Sequence, residues 1–114
     1  MNHVVQYSRT VDRAFAALSD PTRRGILERL GRADASISDL AERFGMTLTG
    51  VRKHVRILER AGLVTTRKVG RVRSCRLGPR RLEDEAAWIK AYGEMLEARF
   101  NRLEAFLERT RGAP

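Results

Sequence analysis

SDLAERFGMTLTGVRKHVRILERAGL, residues 38–63, writes two short helices on either side of a tight turn. From Ser38 to Phe44, Leu40, Ala41 and Phe44 fall on one face. Gly45 can then leave the helix with positive φ at little steric cost. Thr47 suits the N-cap of a second helix, in which Val51, Val55 and Leu58 recur at spacings of four and three, with Leu48 on the edge of the same stripe. The opposite face carries Thr49, Arg52, Lys53, Arg56 and Arg60. A helix, a glycine turn and a second helix with a basic outer face form a helix-turn-helix whose second helix is expected to enter a DNA groove.

A charged helix face is often only a solvated face, but solvated faces normally mix signs, because Glu–Lys pairs support a helix. Here the acids are missing. Between Arg43 and Arg81 stand twelve Lys or Arg residues and one acid, Glu59. Residues 1–42 carry six of each sign, and residues 82–114 carry five basic against seven acidic. The net charge of +9 is therefore localised, as on a surface that binds a polyanion.

The 114 residues leave room for one domain. No apolar run approaches the roughly 20 residues of a membrane span. The opening MNHVVQYSRT lacks a signal-peptide layout, and the single Cys75 cannot form an internal disulfide, so a reducing cytoplasm is the expected location. Catalysis would need a nucleophile beside a base, or paired carboxylates in a pocket. Ser, Cys and His are too scattered here to supply that, and no cofactor is expected. Single-stranded RNA modules stack bases on aromatic rings. The basic third has only Phe44, which belongs to a core pattern, so double-stranded DNA is the expected partner.

Toward the N-terminus, residues 1–9 are weakly specified. From Thr10, read as an N-cap, Val11, Ala14, Phe15 and Leu18 make a short amphipathic helix. Asp20-Pro21 restarts the chain as N-cap and first helical residue, and the helix that follows buries Ile26, Leu27 and Leu30. Residues 31–35 read as a linker. Ser36 or Ser38 caps the next helix, with Asp39 in its first turn.

Toward the C-terminus, residues 63–69 and 71–77 read as two strands joined at Gly70, a wing carrying Arg67, Lys68, Arg71, Arg73 and Arg76. After Gly78-Pro79, one long helix is expected from about Leu82 to Arg109. Leu82, Ile89, Leu96 and Leu103 repeat every seven residues, broadened by Tyr92, Phe100, Phe106 and Leu107. That is more apolar surface than a domain this small can cover, so a second copy of the chain is expected to share it.

ALSDPTRRGILERL, SDLAERFGMT, VRKHVRILERAGLV and KVGRVRSCRLGP together resemble the ArsR family of bacterial winged-helix transcriptional repressors, over about Phe15 to Pro79. The resemblance implies a homodimer, held by its first and last helices, that blocks transcription at a palindromic site. Metal-sensing relatives have Cys-x-Cys before an Asp-Leu; here Ser36-Ile37-Ser38 precedes Asp39-Leu40. Relatives that bind zinc on the last helix use His there, whereas this chain's two are His3 and His54. No metal site is therefore expected, and the inducer stays unassigned. The family often has Gln and Ser where this chain has Leu48 and Arg52, so the DNA sequence it reads is its own.

The expected architecture is mainly α with a small β-hairpin wing, in one winged helix-turn-helix domain over 1–114. A dimerisation helix lies in 1–19, the helical core in 20–63, the wing in 64–78 and a second dimerisation helix in 80–110. The expected DNA contacts are Thr47, Leu48, Thr49, Arg52, Lys53, His54 and Arg56 from the helix at 47–61, and Arg67, Lys68, Arg71 and Arg73 from the wing at 64–77. His54 is read either as a DNA contact or as a packing residue. The dimer is expected to use Phe15, Ile89, Tyr92, Leu96, Phe100 and Leu103. Cys75 has two readings. Arg73 and Arg76 nearby would lower its pKa and make it a redox switch, whereas its alternation with Leu77 makes it a half-buried structural residue.

Overall fold

The computed structural model describes residues 2–112, with side chains from Arg9 onward. Its elements are α1 (Asn2–Leu18), α2 (Pro21–Leu30), β1 (Ala35–Ser36), α3 (Ile37–Phe44), α4 (Leu48–Arg60), β2 (Val64–Val69), β3 (Val72–Leu77) and α5 (Glu83–Arg111). The chain divides into two units, residues 1–82 and residues 83–114, and each is described by itself.

In the first unit the helix starts are set by side chains that satisfy orphan backbone N–H groups. The Asp20 carboxylate accepts from the Arg23 N–H at 3.0 Å, and Pro21 occupies the first helical position of α2. Ser36 and Asp39 form a reciprocal capping box on α3: the Ser36 hydroxyl accepts from the Asp39 N–H, and the Asp39 carboxylate accepts from the Ser36 N–H. Thr47 caps α4 by accepting from the Gly50 N–H. Gly45, at φ +60°, closes α3 while the Met46 N–H reaches back to the Ala41 carbonyl. The bend between α3 and α4 follows from that left-handed residue.

The core is assembled from the apolar stripes of these helices. Ile26, Leu40, Val51, Val55, Leu58, Val64 and Cys75 are fully buried together, with Leu30, Ile37, Leu63 and the small Ala17 beside them. Leu27, Phe44 and Leu82 pack on this cluster while remaining partly exposed. Leu82 has φ 58° and belongs to the core cluster, so the seven-residue repeat loses its first member before α5 begins.

Several expectations change. α1 starts at Asn2, so Thr10 lies inside a helix and not at its start; Val4, Val5 and Tyr7 have side chains outside the described set. On α1 the fully buried residues are Ala14 and Ala17, while Phe15 is only half-buried. The supposed linker ends in a strand: Ala35 and Ser36 pair with Cys75 and Ser74 of β3. The hairpin is therefore two strands of a three-stranded antiparallel sheet in the order β1-β3-β2. A two-stranded ribbon is marginal alone, and β1 gives its inner strand a partner on each side. Gly70, at φ +63°, makes the wing turn between the paired Val69 and Val72.

The second unit is a single helix of 29 residues. Three acids in its first turn and Arg109 and Arg111 in its last turn match the helix dipole. Trp88 and Tyr92, one turn apart, stack with ring centroids 5.3 Å apart and planes 8° from parallel. Ile89, Tyr92, Met95, Leu96, Phe100, Leu103, Phe106 and Leu107 are all exposed, with Phe100 reaching 66%.

Candidate nucleic-acid interface

The register of α4 divides its residues cleanly. Burying Val51, Val55 and Leu58 turns Thr49, Arg52, Lys53 and Arg56 to solvent. Leu48 opens the helix directly after its cap and stays 43% exposed, off the core rather than on its edge. Thr47 and Thr49 flank it and are also exposed. This first turn is the part of a recognition helix that meets base edges.

The wing adds a second row. Arg67, Lys68, Arg71 and Arg73 are exposed on β2, the turn and β3. Arg52 and Arg56 of α4 meet Lys68, Arg71 and Arg73 of the wing across an open cleft of about 570 Å³. Ser36, Ile37 and Ser38 close one side of it, with Val55 and Val72 contributing apolar surface. Thr47, Leu48, Thr49, Lys53 and Arg67 do not line this cleft. Its single acidic residue, Glu59, accepts a hydrogen bond from the Thr66 hydroxyl at 2.9 Å. Arg73 in turn donates to the Thr66 oxygen at 3.0 Å. This chain ties the wing to α4 and occupies the one carboxylate that would oppose an incoming anion. Five cations on two elements facing one cleft concentrate positive potential there, the arrangement that phosphate backbones select.

His54 does not line that cleft. It is half-buried, and its Nδ1 lies 3.2 Å from the Arg23 guanidinium and 4.0 Å from the Asp20 carboxylate, so of its two readings the packing one fits. Sequence reasoning missed Arg23 as a partner of the recognition helix. It also missed Thr66 and Glu59 as the link that holds the wing. Such pairings span 31 and seven residues of chain, and no local pattern writes them.

Cys75 sits in the middle of β3, fully buried, between Ala35 and Thr66 on the flanking strands. Burial pushes its thiol up to about 11, reinforced by Glu59 and only partly offset by Arg73. The neutral thiol therefore dominates near pH 7, which is the opposite of what a redox switch needs. Ser36 and Ser38, where metal-sensing relatives carry cysteines, are a helix cap and an exposed hydroxyl beside the cleft. Among the described residues no three His, Cys, Asp or Glu side chains cluster in a way that would hold a metal ion. No described helix is long and apolar enough to cross a membrane.

Comparison with known proteins matches this geometry. A helix-turn-helix domain family model covers residues 18–67. The transcriptional repressor SdpR of Bacillus subtilis is 32% identical over 79 residues, 69% of this chain and 88% of that protein. The HTH-type transcriptional regulator Rv2034 of Mycobacterium tuberculosis is 32% identical over 98 residues, covering 79% and 92% of the two chains. A solved ArsR-like transcriptional regulator from Rhodococcus sp. RHA1 superposes with a TM-score of 0.74 at 35% identity, covering 92% of this chain and 96% of that one. The chain belongs to the ArsR family. It is a winged helix-turn-helix transcriptional regulator with a DNA-binding domain, and its relatives are regulators rather than enzymes. For an ArsR regulator, α4 is the recognition helix and the β2–β3 hairpin is the wing.

Proposed function

We propose that this ArsR regulator is a homodimeric repressor that binds a palindromic operator near its own gene. In this reading α4 lies in the major groove and the wing follows the flanking backbone. The observation that carries it is the cleft on which Arg52, Arg56, Lys68, Arg71 and Arg73 converge, with Glu59 held by Thr66. Thr47, Leu48, Thr49, Arg52, Lys53 and Arg56 take the base and near-backbone contacts, and Arg67, Lys68, Arg71 and Arg73 take phosphates. Arg52 is assigned to base readout, because arginine pairs bidentately with guanine.

Two further observations support the remaining parts. Repression is what the name of the relative SdpR records. Dimerisation through Phe15, Ile89, Tyr92, Leu96, Phe100 and Leu103 accounts for an α5 whose large apolar residues stand exposed on an isolated chain. A two-fold dimer places two recognition helices roughly 34 Å apart, one turn of DNA, and calls for an inverted repeat. The protein then works in the cytoplasm, where the chromosome is, and needs no cofactor. Footprinting the purified protein on the DNA upstream of its gene tests the reading. Two protected half-sites with dyad symmetry are expected. Uniform weak protection of all fragments would overturn it.

A further inference from the structure

Behind the recognition helix, on the side away from its exposed cations, a single arginine joins three helices. Arg23 stands in the first turn of α2. Its Nε donates to the Ala17 carbonyl at 2.8 Å, and one terminal nitrogen donates to the Ala16 carbonyl at 3.1 Å. Those carbonyls belong to the last turn of α1, where intrahelical partners run out. The other terminal nitrogen lies 3.2 Å from His54 Nδ1 on α4. A guanidinium only donates, so in this contact Nδ1 is the acceptor. The backbone N–H of Arg23 is also committed, to the Asp20 carboxylate.

At about 100° per residue, His54 lies roughly 200° round α4 from Arg52, on nearly the opposite side of the helix. The apolar contacts of Val51, Val55 and Leu58 fix how deeply α4 sits, but such contacts are not directional. A hydrogen bond is directional, and this one comes from a side chain whose Nε and other terminal nitrogen already donate to α1. We infer that Arg23 and His54 are a positioning pair that sets the roll of the recognition helix, and through it the aim of Arg52 at the bases. Neither residue touches DNA in this role, since the guanidinium is occupied by three protein acceptors. The inference rests on the DNA-binding reading above.

The test compares wild type, His54→Ala and His54→Asn, whose side-chain oxygen stands near the position of Nδ1. The readout is the ratio of affinity for the footprinted upstream fragment to that for scrambled DNA of equal length, so any general gain of positive charge cancels. Near pH 8, His54→Ala is expected to lose about tenfold in this ratio, as one charge-assisted hydrogen bond is removed. Affinity for scrambled DNA should hold, and His54→Asn should recover most of the loss. An unchanged ratio in His54→Ala, or a loss in His54→Asn as large as in His54→Ala, overturns the pairing. If His54→Ala does not fold, His54→Leu, which fills the space but accepts no hydrogen bond, takes its place in the comparison. A wild type with no preference for any upstream fragment fails at the DNA-binding reading instead, and is distinguishable by that.

Discussion

α4 and α5 carry the same kinds of apolar residue at the same helical spacing, yet they end in opposite environments. Val51, Val55 and Leu58 of α4 are buried by α2, α3 and the sheet, so the cations Arg52, Lys53, Arg56 and Arg60 are left outside. Ile89, Leu96 and Leu103 of α5 stand exposed, so α5 shows solvent an apolar stripe beside its charged residues. Amphipathic spacing thus reports that a face will be covered, without saying by what. In α4 the cover is the chain's own core, and the reading proposed here gives the exposed face to DNA. In α5 the reading proposed here makes a second copy the cover.

Substitutions at matched positions can break that contrast. Leu58→Ala deletes a fully buried side chain within one chain and should cost on the order of 2–5 kcal/mol. A thermal melt should show it at any protein concentration. Leu96→Glu should instead leave the fold intact and give monomers by light scattering. Truncating an interface centre costs on the order of 2–4 kcal/mol, and the unpaired charge adds to it. If Leu96→Glu remained dimeric, the assignment of α5 to self-association would fail.

Smaller effects separate the two rows of cations. Arg52→Ala is expected to cost on the order of 1–3 kcal/mol on the specific site and to relax preference at one base pair. Arg71→Ala, at the wing turn, should weaken binding to all sequences alike and reduce the slope of log affinity against log salt by about 0.9. Equal losses on specific and scrambled DNA for Arg52→Ala would move it from base readout to backbone contact.

Much of the first unit was legible in the sequence because its signals are local. Gly45, Thr47 and Asp20-Pro21 each act within one turn of chain, and each is found in the role its chemistry gives it. The stripe Val51, Val55, Leu58 fixed the outward residues of α4 with no knowledge of the rest. What escaped was non-local or compensated. β1 is two residues long and exists because β3 lies beside it. The start of α1 escaped because Thr10 looks like a cap, yet helical residues precede it. His54 carries two readings from the sequence, DNA contact or packing, and its contact with Arg23, 31 residues earlier, is one that no local pattern writes.

The caps carry a pH signature. Backbone hydrogen bonds, from Ser36 to Asp39 and from Arg23 to Asp20, hold both carboxyls below the usual carboxylate range. The native state therefore binds fewer protons than the unfolded chain as pH falls into that range, so stability is lost on acidification and is fully present above it. Melting temperature should fall below about pH 4, and Asp39→Ala should flatten part of that fall. A melting curve that is equally steep in Asp39→Ala would assign the acid response to other groups.

The smallest effect expected is none. Hydroxyls at Ser36 and Ser38 are poor ligands for soft metal ions. Titration with zinc or arsenite should give no stoichiometric heat and no release of DNA. A submicromolar site that also abolishes DNA binding would reverse this.

Cys75 gives the wing a built-in clock. As the single thiol of the chain, it is sealed in the central strand, and burial keeps it protonated near neutrality. An alkylating reagent can reach the sulfur only when the core packed against this face of the sheet opens. The rate of labelling, divided by the rate for an open thiol, then measures how often the sheet and the helices on it separate. Added DNA that clamps the wing should slow the reaction, so occupancy of the hairpin can be read by mass spectrometry on unmodified protein.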